Sequence, residues 1–255
     1  MLVKRLIFAG FLTVFACSAA FSVSETVFIA GGTFNMGSES GDDDEKPVHS
    51  VTLDDFRIDK RLVSNKDYNK CVAAGRCTPP NYKNNNCFLW TNQGLSKVAP
   101  HDELLAPDNP VVCVSWRQAS EYCRFRGGRL LTEAEWEYAA TNGGTTTYAW
   151  GNEKPTPDRA RFRSRSSVSV YTNKAVGKHG LIDMNGNVWE WVSDKYERNY
   201  YSYSTQKNPK GATVGRFNVI RGGGWYSDER ALRSANRQWF APEAAEISIG
   251  FRCAK

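Results

Sequence analysis

The hydrophobic and polar positions near the start of the chain predict two short strands. Residues 27–30 are mainly apolar and precede Gly31-Gly32, a pattern typical of a strand that enters a turn. Residues 48–56 alternate apolar and polar side chains, as one half-buried strand does. We therefore expect strands at both places.

Three helices are predicted by residues that cap helix starts. Each predicted start has a hydroxyl residue followed three positions later by a polar partner. The pairs are Ser64 and Asp67, Ser115 and Gln118, and Thr132 and Glu135. Gly75 ends the first helix and Gly127-Gly128 the second. From Gly144 onward, glycine, asparagine and proline recur every few residues and predict loops and short strands. The pattern favours an α+β fold with much irregular chain.

The N-terminal residues have the three parts of a secretory signal. Lys4-Arg5 precede an apolar stretch over residues 6–16, and small residues follow at 17–20. We predict a signal peptide at residues 1–20, a single domain at residues 25–255, and a periplasmic or secreted protein. A lipid anchor at Cys17 is the alternative, but Phe15 suits a lipid-modification box poorly. No later apolar stretch approaches the ~20 residues of a transmembrane helix.

Removing Cys17 with the signal leaves an even number of cysteines. The six are Cys71, Cys77, Cys87, Cys113, Cys123 and Cys253. Three disulfides are expected in an exported protein. A zinc site is set aside, because no CxxC pair occurs and His49, His101 and His179 stand alone.

The charge balance is weakly basic and argues against nucleic acid as a partner. The chain has 33 Lys and Arg against 27 Asp and Glu. Loss of Lys4 and Arg5 leaves 31 against 27, a net charge of +4. This excess is too small and too scattered for a nucleic-acid footprint.

Four sets of motifs, in order along the chain, carry a family resemblance. They are GGTFNMGS at 31–38; PVVCVSW at 110–116 with GRLLTEAEWEY at 128–138; GLIDMNGNVWEW at 180–191; and RGGGW at 221–225 with GFRC at 250–253. Over residues 27–255 the sequence resembles the formylglycine-generating-enzyme, or sulfatase-modifying-factor, family. The resemblance implies one compact C-type-lectin-like domain with little regular secondary structure.

The same resemblance implies one disulfide. The family joins a cysteine at the end of the central helix to the cysteine of the GFRC motif, and these positions are Cys123 and Cys253 here. Closing so long a loop contributes up to ~4.7 kcal/mol in the chain-entropy model. The other four cysteines leave three connectivities open.

The family's oxidases need a cysteine pair shortly after the RGGS motif, because thiolates bind copper(I). Residues 221–234 contain no cysteine, Gly224 replaces the motif's serine, and Ser227 stands where the first cysteine would be. A hydroxyl cannot replace a thiolate on copper. We therefore expect no catalytic residue, no copper and no formylglycine synthesis.

The sequence also lacks the residue patterns that a serine nucleophile or an iron site would need. Ser227 as a nucleophile would need a histidine base that no motif supplies, so a surface serine in a turn beside Asp228 is favoured. Some relatives use iron held by closely spaced histidines, a spacing that is absent here. Exported relatives that act in siderophore maturation keep a tailoring enzyme or oxidoreductase open as a rival.

A structural calcium ion is implied by the resemblance at the GLIDMNGNVWEW motif. Carried over, its ligands are Asp183, Gly186, Val188 and Glu190, an all-oxygen set. The alternative is a simple hairpin turn at Asn185-Gly186, followed by a strand whose tryptophans are buried. A second family calcium site is not expected, because Arg161 stands at a ligand position.

Aromatic and arginine residues around the family's substrate cleft form a candidate binding surface. They are Trp225, Tyr226, Arg237, Trp239 and Phe240, and Ser227 is included in the same candidate surface. Such residues are enriched at binding hot spots, although many become core residues. Our leading hypothesis is an exported, non-catalytic binding or regulatory protein with a protein partner in the cell envelope. An accessory of a type VI secretion threonine-phosphorylation pathway is a concrete version by analogy, and a calcium-dependent lectin-like binder is a further alternative.

Overall fold

A computed structural model describes residues 25–91, 93–173 and 176–255, so the predicted signal peptide and Cys17 lie outside the described residues. Short strands, three α-helices and three short 3-10 helices, at Asp43–Glu45, Asn81–Asn84 and Tyr200–Ser202, form the regular structure of this part. The strands are β1 Thr26–Ile29, β2 Gly32–Met36, β3 His49–Leu53, β4 Phe56–Asp59, β5 Phe88–Thr91, β6 Gly94–Lys97, β7 Arg129–Leu130, β8 Trp189–Lys195, β9 Asn218–Arg221, β10 Gln238–Phe240, β11 Ile249–Gly250 and β12 Cys253–Ala254. The helices are α1 Asn65–Ala73, α2 Trp116–Phe125 and α3 Glu133–Ala140.

Two four-stranded sheets organise the chain. One has the order β1-β4-β12-β7, and its antiparallel pairs place β4 between the first strand, β1, and the last strand, β12. The other has the order β10-β9-β8-β11 and mixes antiparallel pairs with the parallel pair of β8 and β11. β2 with β3 and β5 with β6 form two further antiparallel pairs. The α+β prediction is confirmed.

The helix starts follow the capping pattern of the sequence. The Ser115 and Thr132 hydroxyls accept from the backbone N–H groups of Gln118 and Glu135, at 3.3 and 3.2 Å. In turn, the side chains of Gln118 and Glu135 accept from the backbone N–H groups of Ser115 and Thr132. At α1 the Ser64 hydroxyl accepts from Asp67 N at 3.1 Å. The predicted helices are confirmed, because each cap satisfies backbone donors that the first turn leaves unpaired.

The strand predicted over residues 48–56 is confirmed at residues 49–53, where β3 lies, but it does not continue to residue 56. β3 and β4 are separate strands, broken at Asp54-Asp55, and they pair with different partners. Asp54 accepts from Asn208 Nδ2 at 2.7 Å, and Asp55 accepts from Gly31 N at 2.7 Å. These long-range bonds hold the acidic pair in an irregular connection that the alternating pattern does not reveal.

Three disulfides join the six cysteines of the described residues. Cys123 is bonded to Cys253, which confirms the pair implied by the resemblance. The open question is resolved as Cys71–Cys77 and Cys87–Cys113. Cys123–Cys253 ties α2 to β12 across 130 residues of sequence.

Tryptophans and tyrosines fill the interior between the sheets and helices. Trp136 packs with the strands of the first sheet, and Trp191 packs in a second cluster with Tyr122 and Phe251. A third cluster holds Trp225 beside the Cys87–Cys113 disulfide. Within residues 25–91, 93–173 and 176–255, no helix has both the length and the apolar character required to cross a membrane.

Candidate functional site

The segment after β9 turns sharply at two glycines. Gly222 and Gly223 have φ of 95° and 79°, a left-handed region that favours glycine. A Cβ on Gly222 would lie 2.8 Å from the Met184 carbonyl oxygen, so a side chain does not fit there. The turn places residues 224–227 against the second sheet.

Ser227 closes the next turn. Its hydroxyl accepts from Gly224 N at 3.0 Å, and its own N–H donates to Gly224 O at 3.0 Å. The prediction of a turn is right, but the prediction that Ser227 lies at the surface is wrong, since its exposed fraction is 7%. Residues 163 and 164 donate backbone hydrogen bonds to the carbonyl oxygens of Ser227 and Trp225, so the turn is held against that loop. The hydroxyl at the position where the family resemblance implies a catalytic cysteine is therefore buried.

An aromatic groove of about 210 Å³ lies beside this turn. We use the name aromatic groove for the surface formed by Trp90, Trp189, Ile220, Tyr226, Gln238, Trp239, Phe240, Glu246 and Ile249. These residues come from five strands, β5, β8, β9, β10 and β11, and from the loops that hold Tyr226 and Glu246. The second sheet and the β5–β6 pair therefore build the groove together.

The aromatic walls are held by ring contacts. Phe240 lies 6.5 Å from Trp90 and 6.2 Å from Trp191, measured between ring centroids. Trp239 packs on Phe217 at 4.3 Å. Trp90 and Tyr226 keep 50% and 38% of their surface exposed, which is high for side chains of this size. Exposed aromatic residues around a concavity are typical of binding surfaces.

One carboxylate lines the groove. Glu246 is 1% exposed; its Oε2 accepts from both the N–H and the hydroxyl of Ser248 at 2.6 Å, and its Oε1 accepts from Trp90 N at 3.3 Å. Burial raises the pKa of Glu246 to about 7, because the hydrogen bonds offset only part of the loss of hydration. The groove thus combines an apolar lining with a poorly compensated acid.

The six residues of the candidate binding surface separate in space. Tyr226, Trp239 and Phe240 line the aromatic groove. Trp225 is buried in the cluster beside the Cys87–Cys113 disulfide and touches Tyr226 edge to face at 5.3 Å. Ser227 is engaged in its turn. Arg237 is not part of the groove: it is 1% exposed and its guanidinium binds Glu133 inside the protein.

Arg237 belongs to a buried ion-pair network under α3. Its Nε and Nη2 donate to Glu133 at 2.8 and 3.0 Å, and Arg221 Nη1 donates to the same carboxylate at 2.7 Å. Arg221 also pairs with Glu137. Burial alone would raise the pKa of Glu133, but Arg237 and Arg221 outweigh it and hold the pKa below its ordinary value. Both arginines are therefore tied to structural partners.

The carboxylates of the predicted calcium site have other partners. Arg252 Nε and Nη2 donate to the two oxygens of Glu190 at 2.8 and 2.9 Å. Asp183 accepts from the amides of Asn173 and Asn187. Burial raises the pKa of both carboxyl groups. Both carboxylates are thus engaged by protein partners, with Arg252 on both oxygens of Glu190. Calcium at Asp183, Gly186, Val188 and Glu190 stays a prediction of the family resemblance.

Trp90, Trp189 and Glu246 are groove residues that the candidate surface omits. Trp90 and Glu246 are 156 residues apart in sequence and meet only because the β5–β6 pair folds over the loop before β11. Trp189 was visible in the GLIDMNGNVWEW motif, but only as a buried strand residue. No local pattern marks Glu246, since a single acid in a loop is ordinary.

Comparison with known proteins finds a matching family model and several similar proteins. The family model described as "Sulfatase-modifying factor enzyme 1-like domain" matches residues 13–255. The chain is 36% identical over 239 residues to a protein named serine/threonine-protein kinase pkn1 from Chlamydia caviae, covering 91% of this chain but only 38% of that protein. It is 33% identical to the formylglycine-generating enzyme of Streptomyces coelicolor, covering 89% of this chain and 88% of that enzyme.

A solved structure agrees with the fold. The structure of PvdO from Pseudomonas aeruginosa matches with a TM-score of 0.73 and 25% sequence identity, covering 90% of this chain and 93% of that chain. The fold implied by the sequence motifs is confirmed by this likeness.

Proposed function

Because this chain belongs to the family of sulfatase-modifying factor enzyme 1-like domains, we propose that it is an exported binding protein that does not synthesise formylglycine. One observation carries the proposal: all six cysteines of the described residues are in disulfides. The position of the first catalytic cysteine holds the Ser227 hydroxyl, which is engaged with Gly224 N. The thiolate pair on which the oxidase depends is thereby replaced by a closed turn.

The donor set at this turn does not fit copper. Copper(I) prefers soft sulfur ligands, and the hydroxyl of Ser227 is a hard, weakly acidic group. Residues 221–234 offer oxygen and nitrogen donors only. No step of the proposed function therefore involves the metal.

Export is supported by the three disulfides. Such bonds persist in the periplasm and outside the cell and are rare in the cytosol. The predicted signal peptide at residues 1–20 would deliver the chain there. We propose the cell envelope or the exterior as its place of action.

Binding is supported by the aromatic groove, which lies beside the altered turn. Trp90 and Tyr226 expose large apolar surfaces there, and Trp239 and Phe240 complete the walls. Aromatic side chains of this kind supply much of the binding energy at protein and ligand interfaces. We propose that the groove has kept the binding role of the family's cleft while the turn has lost its chemistry.

More specifically, we propose that the protein has a regulatory role in the cell envelope. The chain spans only 38% of the length of the Chlamydia caviae protein named as a kinase, so the same kind of domain occurs there as one part of a larger protein. This supports an accessory module that acts with a protein partner. A threonine-phosphorylation pathway attached to type VI secretion is one setting in which such a module would serve.

Metal content and oxygen uptake test the loss of oxidase activity. The disulfide-intact protein is incubated with copper(I), desalted and analysed for bound metal, then mixed with a cysteine-containing peptide that the Streptomyces coelicolor enzyme oxidises. We expect background copper and no peptide-dependent oxygen consumption, with that enzyme as the positive control. Stoichiometric copper together with peptide-dependent oxygen uptake would overturn the proposal.

A further inference from the structure

Glu246 differs from the buried acids Glu133, Glu137 and Glu190, because no basic side chain in the described part of the chain compensates it. The influences on its carboxyl group are burial and hydrogen bonds from Ser248 and Trp90, with no charged neighbour among the described residues. Glu133, Glu137 and Glu190 each pair with an arginine. Burying a carboxylate without a cation costs free energy, so a cation that enters the groove would offset this cost.

The two oxygens of Glu246 are not equally engaged. Oε2 accepts two short bonds from Ser248, whereas Oε1 accepts one long bond from Trp90 N at 3.3 Å. Each carboxylate oxygen can accept about two hydrogen bonds. Oε1 therefore keeps capacity for one more donor. Ser248 fixes the side chain, and Glu246 lines the groove.

The surroundings of Glu246 suit a positive charge carried on an apolar stem. Rings of Trp90, Trp239 and Phe240 line the groove and can face a cation, an attraction of the cation–π kind. Ile220 and Ile249 add aliphatic surface against which methylene groups can pack. Acid, aromatic rings and aliphatic wall together describe a receptor for an amphipathic cation.

We propose that the aromatic groove binds a primary alkylammonium group, with its nitrogen donating to Glu246 Oε1 and its methylenes against the aromatic and isoleucine walls. This inference rests on the proposed function, since it names the ligand class of the proposed binding groove. A lysine side chain on a polypeptide and a free alkylamine both carry this chemistry.

The geometry disfavours other cations. A guanidinium binds a carboxylate best through two parallel N–H bonds, but Ser248 already occupies Oε2. A quaternary ammonium has no N–H to donate to Oε1. A primary ammonium is a compact charge with three donors and needs only one free acceptor.

The protonation of Glu246 links this binding to pH. A bound ammonium favours the ionised carboxylate, so affinity should fall as the pH drops from 8 to 6 and Glu246 takes up a proton. Among the described residues that line the groove, Tyr226 is the other titratable group. Burial, followed by the charge of Glu246, raises the pKa of the Tyr226 phenol, which stays neutral over this range.

Tryptophan fluorescence and calorimetry test the proposal on the disulfide-intact protein at pH 8. The probes are N-acetyl-lysine methylamide and n-butylamine, with N-acetyl-norleucine methylamide as the uncharged analogue and N-acetyl-arginine methylamide as the guanidinium analogue. Charge-assisted hydrogen bonds contribute enough for a tenfold effect or more. We expect saturable binding of the ammonium probes, at least tenfold tighter than of norleucine or arginine.

Matched variants locate the effect. Glu246→Gln keeps the size of the side chain and should weaken ammonium binding at least tenfold, whereas Glu243→Gln removes a carboxylate that is exposed and pairs with Arg117, and should change nothing. Trp239→Leu keeps Glu246 and should also weaken binding, which guards against a folding defect in the first variant. Tighter binding of the lysine derivative than of butylamine identifies a polypeptide source, and the reverse identifies a free amine.

The outcomes separate this inference from the proposed function. Equal binding of norleucine and lysine, no effect of Glu246→Gln, or no saturable binding of either ammonium probe would each overturn the alkylammonium site. None of these results involves copper or oxygen, so the proposed loss of oxidase activity stands or falls on its own assay.

Discussion

The ion-pair network under α3 and the aromatic groove each contain a buried acid, but the two acids have different partners. Under α3, Glu133 is fully enclosed and bound by Arg221 and Arg237, which hold its pKa below the ordinary value. In the groove, Glu246 is equally buried but has only hydrogen bonds, and its pKa rises to about 7. The charge of Glu133 is neutralised within the fold, whereas Glu246 has no cation beside it among the described residues.

This contrast separates a charge that is neutralised within the fold from one that lines a groove whose described residues include no cation. Arg237 and Trp239 are close in sequence, yet Arg237 turns inward to Glu133 while Trp239 lines the groove. A buried ion pair fixes the position of an element, and loss of one partner leaves an uncompensated charge. A buried acid without a partner reduces stability, a cost that a ligand can offset when it binds. The following changes test this difference.

The largest expected effect is on the network. Glu133→Gln removes the charge that Arg221 and Arg237 share, so we expect the free energy of unfolding to fall by about 3–5 kcal/mol. Urea unfolding followed by fluorescence measures the change. Glu243→Gln, in an exposed ion pair with Arg117, is the control and should stay within about 0.5 kcal/mol of the unmodified protein. A loss below about 1 kcal/mol for Glu133→Gln would contradict the structural role.

The next effect concerns Glu246 in the groove, whose contribution to stability decreases as the pH rises. The folded pKa of Glu246, about 7, lies above its ordinary value of 4.5, so the fold favours the protonated form. Its contribution to stability is full below pH 4.5 and is lost as the pH rises to 7, a difference of about 3 kcal/mol.

The variant Glu246→Gln should therefore gain about 3 kcal/mol of stability relative to the unmodified protein between pH 4.5 and pH 8. Urea titrations of both proteins at the two pH values measure this difference. Asp194 is also buried with a raised pKa, but it is present in both proteins and cancels. A relative stability that does not change with pH would show that Glu246 is compensated after all.

A smaller effect is expected where the turn meets the groove. A Cβ on Gly224 would lie 3.0 Å from Trp189 Cδ1 and 3.3 Å from Ser248 Cβ, so Gly224→Ser overpacks this contact and should cost about 1 kcal/mol. It should also weaken alkylammonium binding, because Ser248 positions Glu246. Gly224→Ala carries the same Cβ and should behave alike in unfolding and binding experiments. If both variants match the unmodified protein, the contact does not position the acid.

The smallest effect concerns the Asp183 and Glu190 pair. Because Arg252 holds both oxygens of Glu190, we expect the melting temperature to be the same in calcium and in a chelator. Differential scanning fluorimetry makes the comparison. A calcium-dependent rise that Asp183→Asn abolishes would instead support the calcium site that the family resemblance implies.

Local signals predict the helices well. The capping residues of α2 and α3 identify their starts, and the glycines after residue 126 mark the end of α2, because these interactions span only a few residues. The Cys123–Cys253 pair came from the family motifs, and its geometry could not have been derived from spacing. The alternating pattern does not show the break between β3 and β4, because Asn208, more than 150 residues away, holds Asp54 in the connection between them.

The candidate site was predicted only in part for the same reason. Tyr226, Trp239 and Phe240 lie near the RGGGW motif in sequence and were found. Trp90 and Glu246 reach the groove through tertiary pairing, and the direction of Arg237 depends on Glu133, 104 residues away. No local pattern distinguishes an arginine that faces a ligand from one that faces a buried acid.

The bond between Cys123 and Cys253 has a consequence for the protein in a medium that contains proteases. A single cut anywhere in the 130-residue span between these cysteines leaves both fragments covalently attached to one another. The groove residues Trp189, Tyr226, Trp239 and Glu246 all lie inside that span. A nicked molecule would migrate as one species until it is reduced, and the two sides of its groove would remain joined.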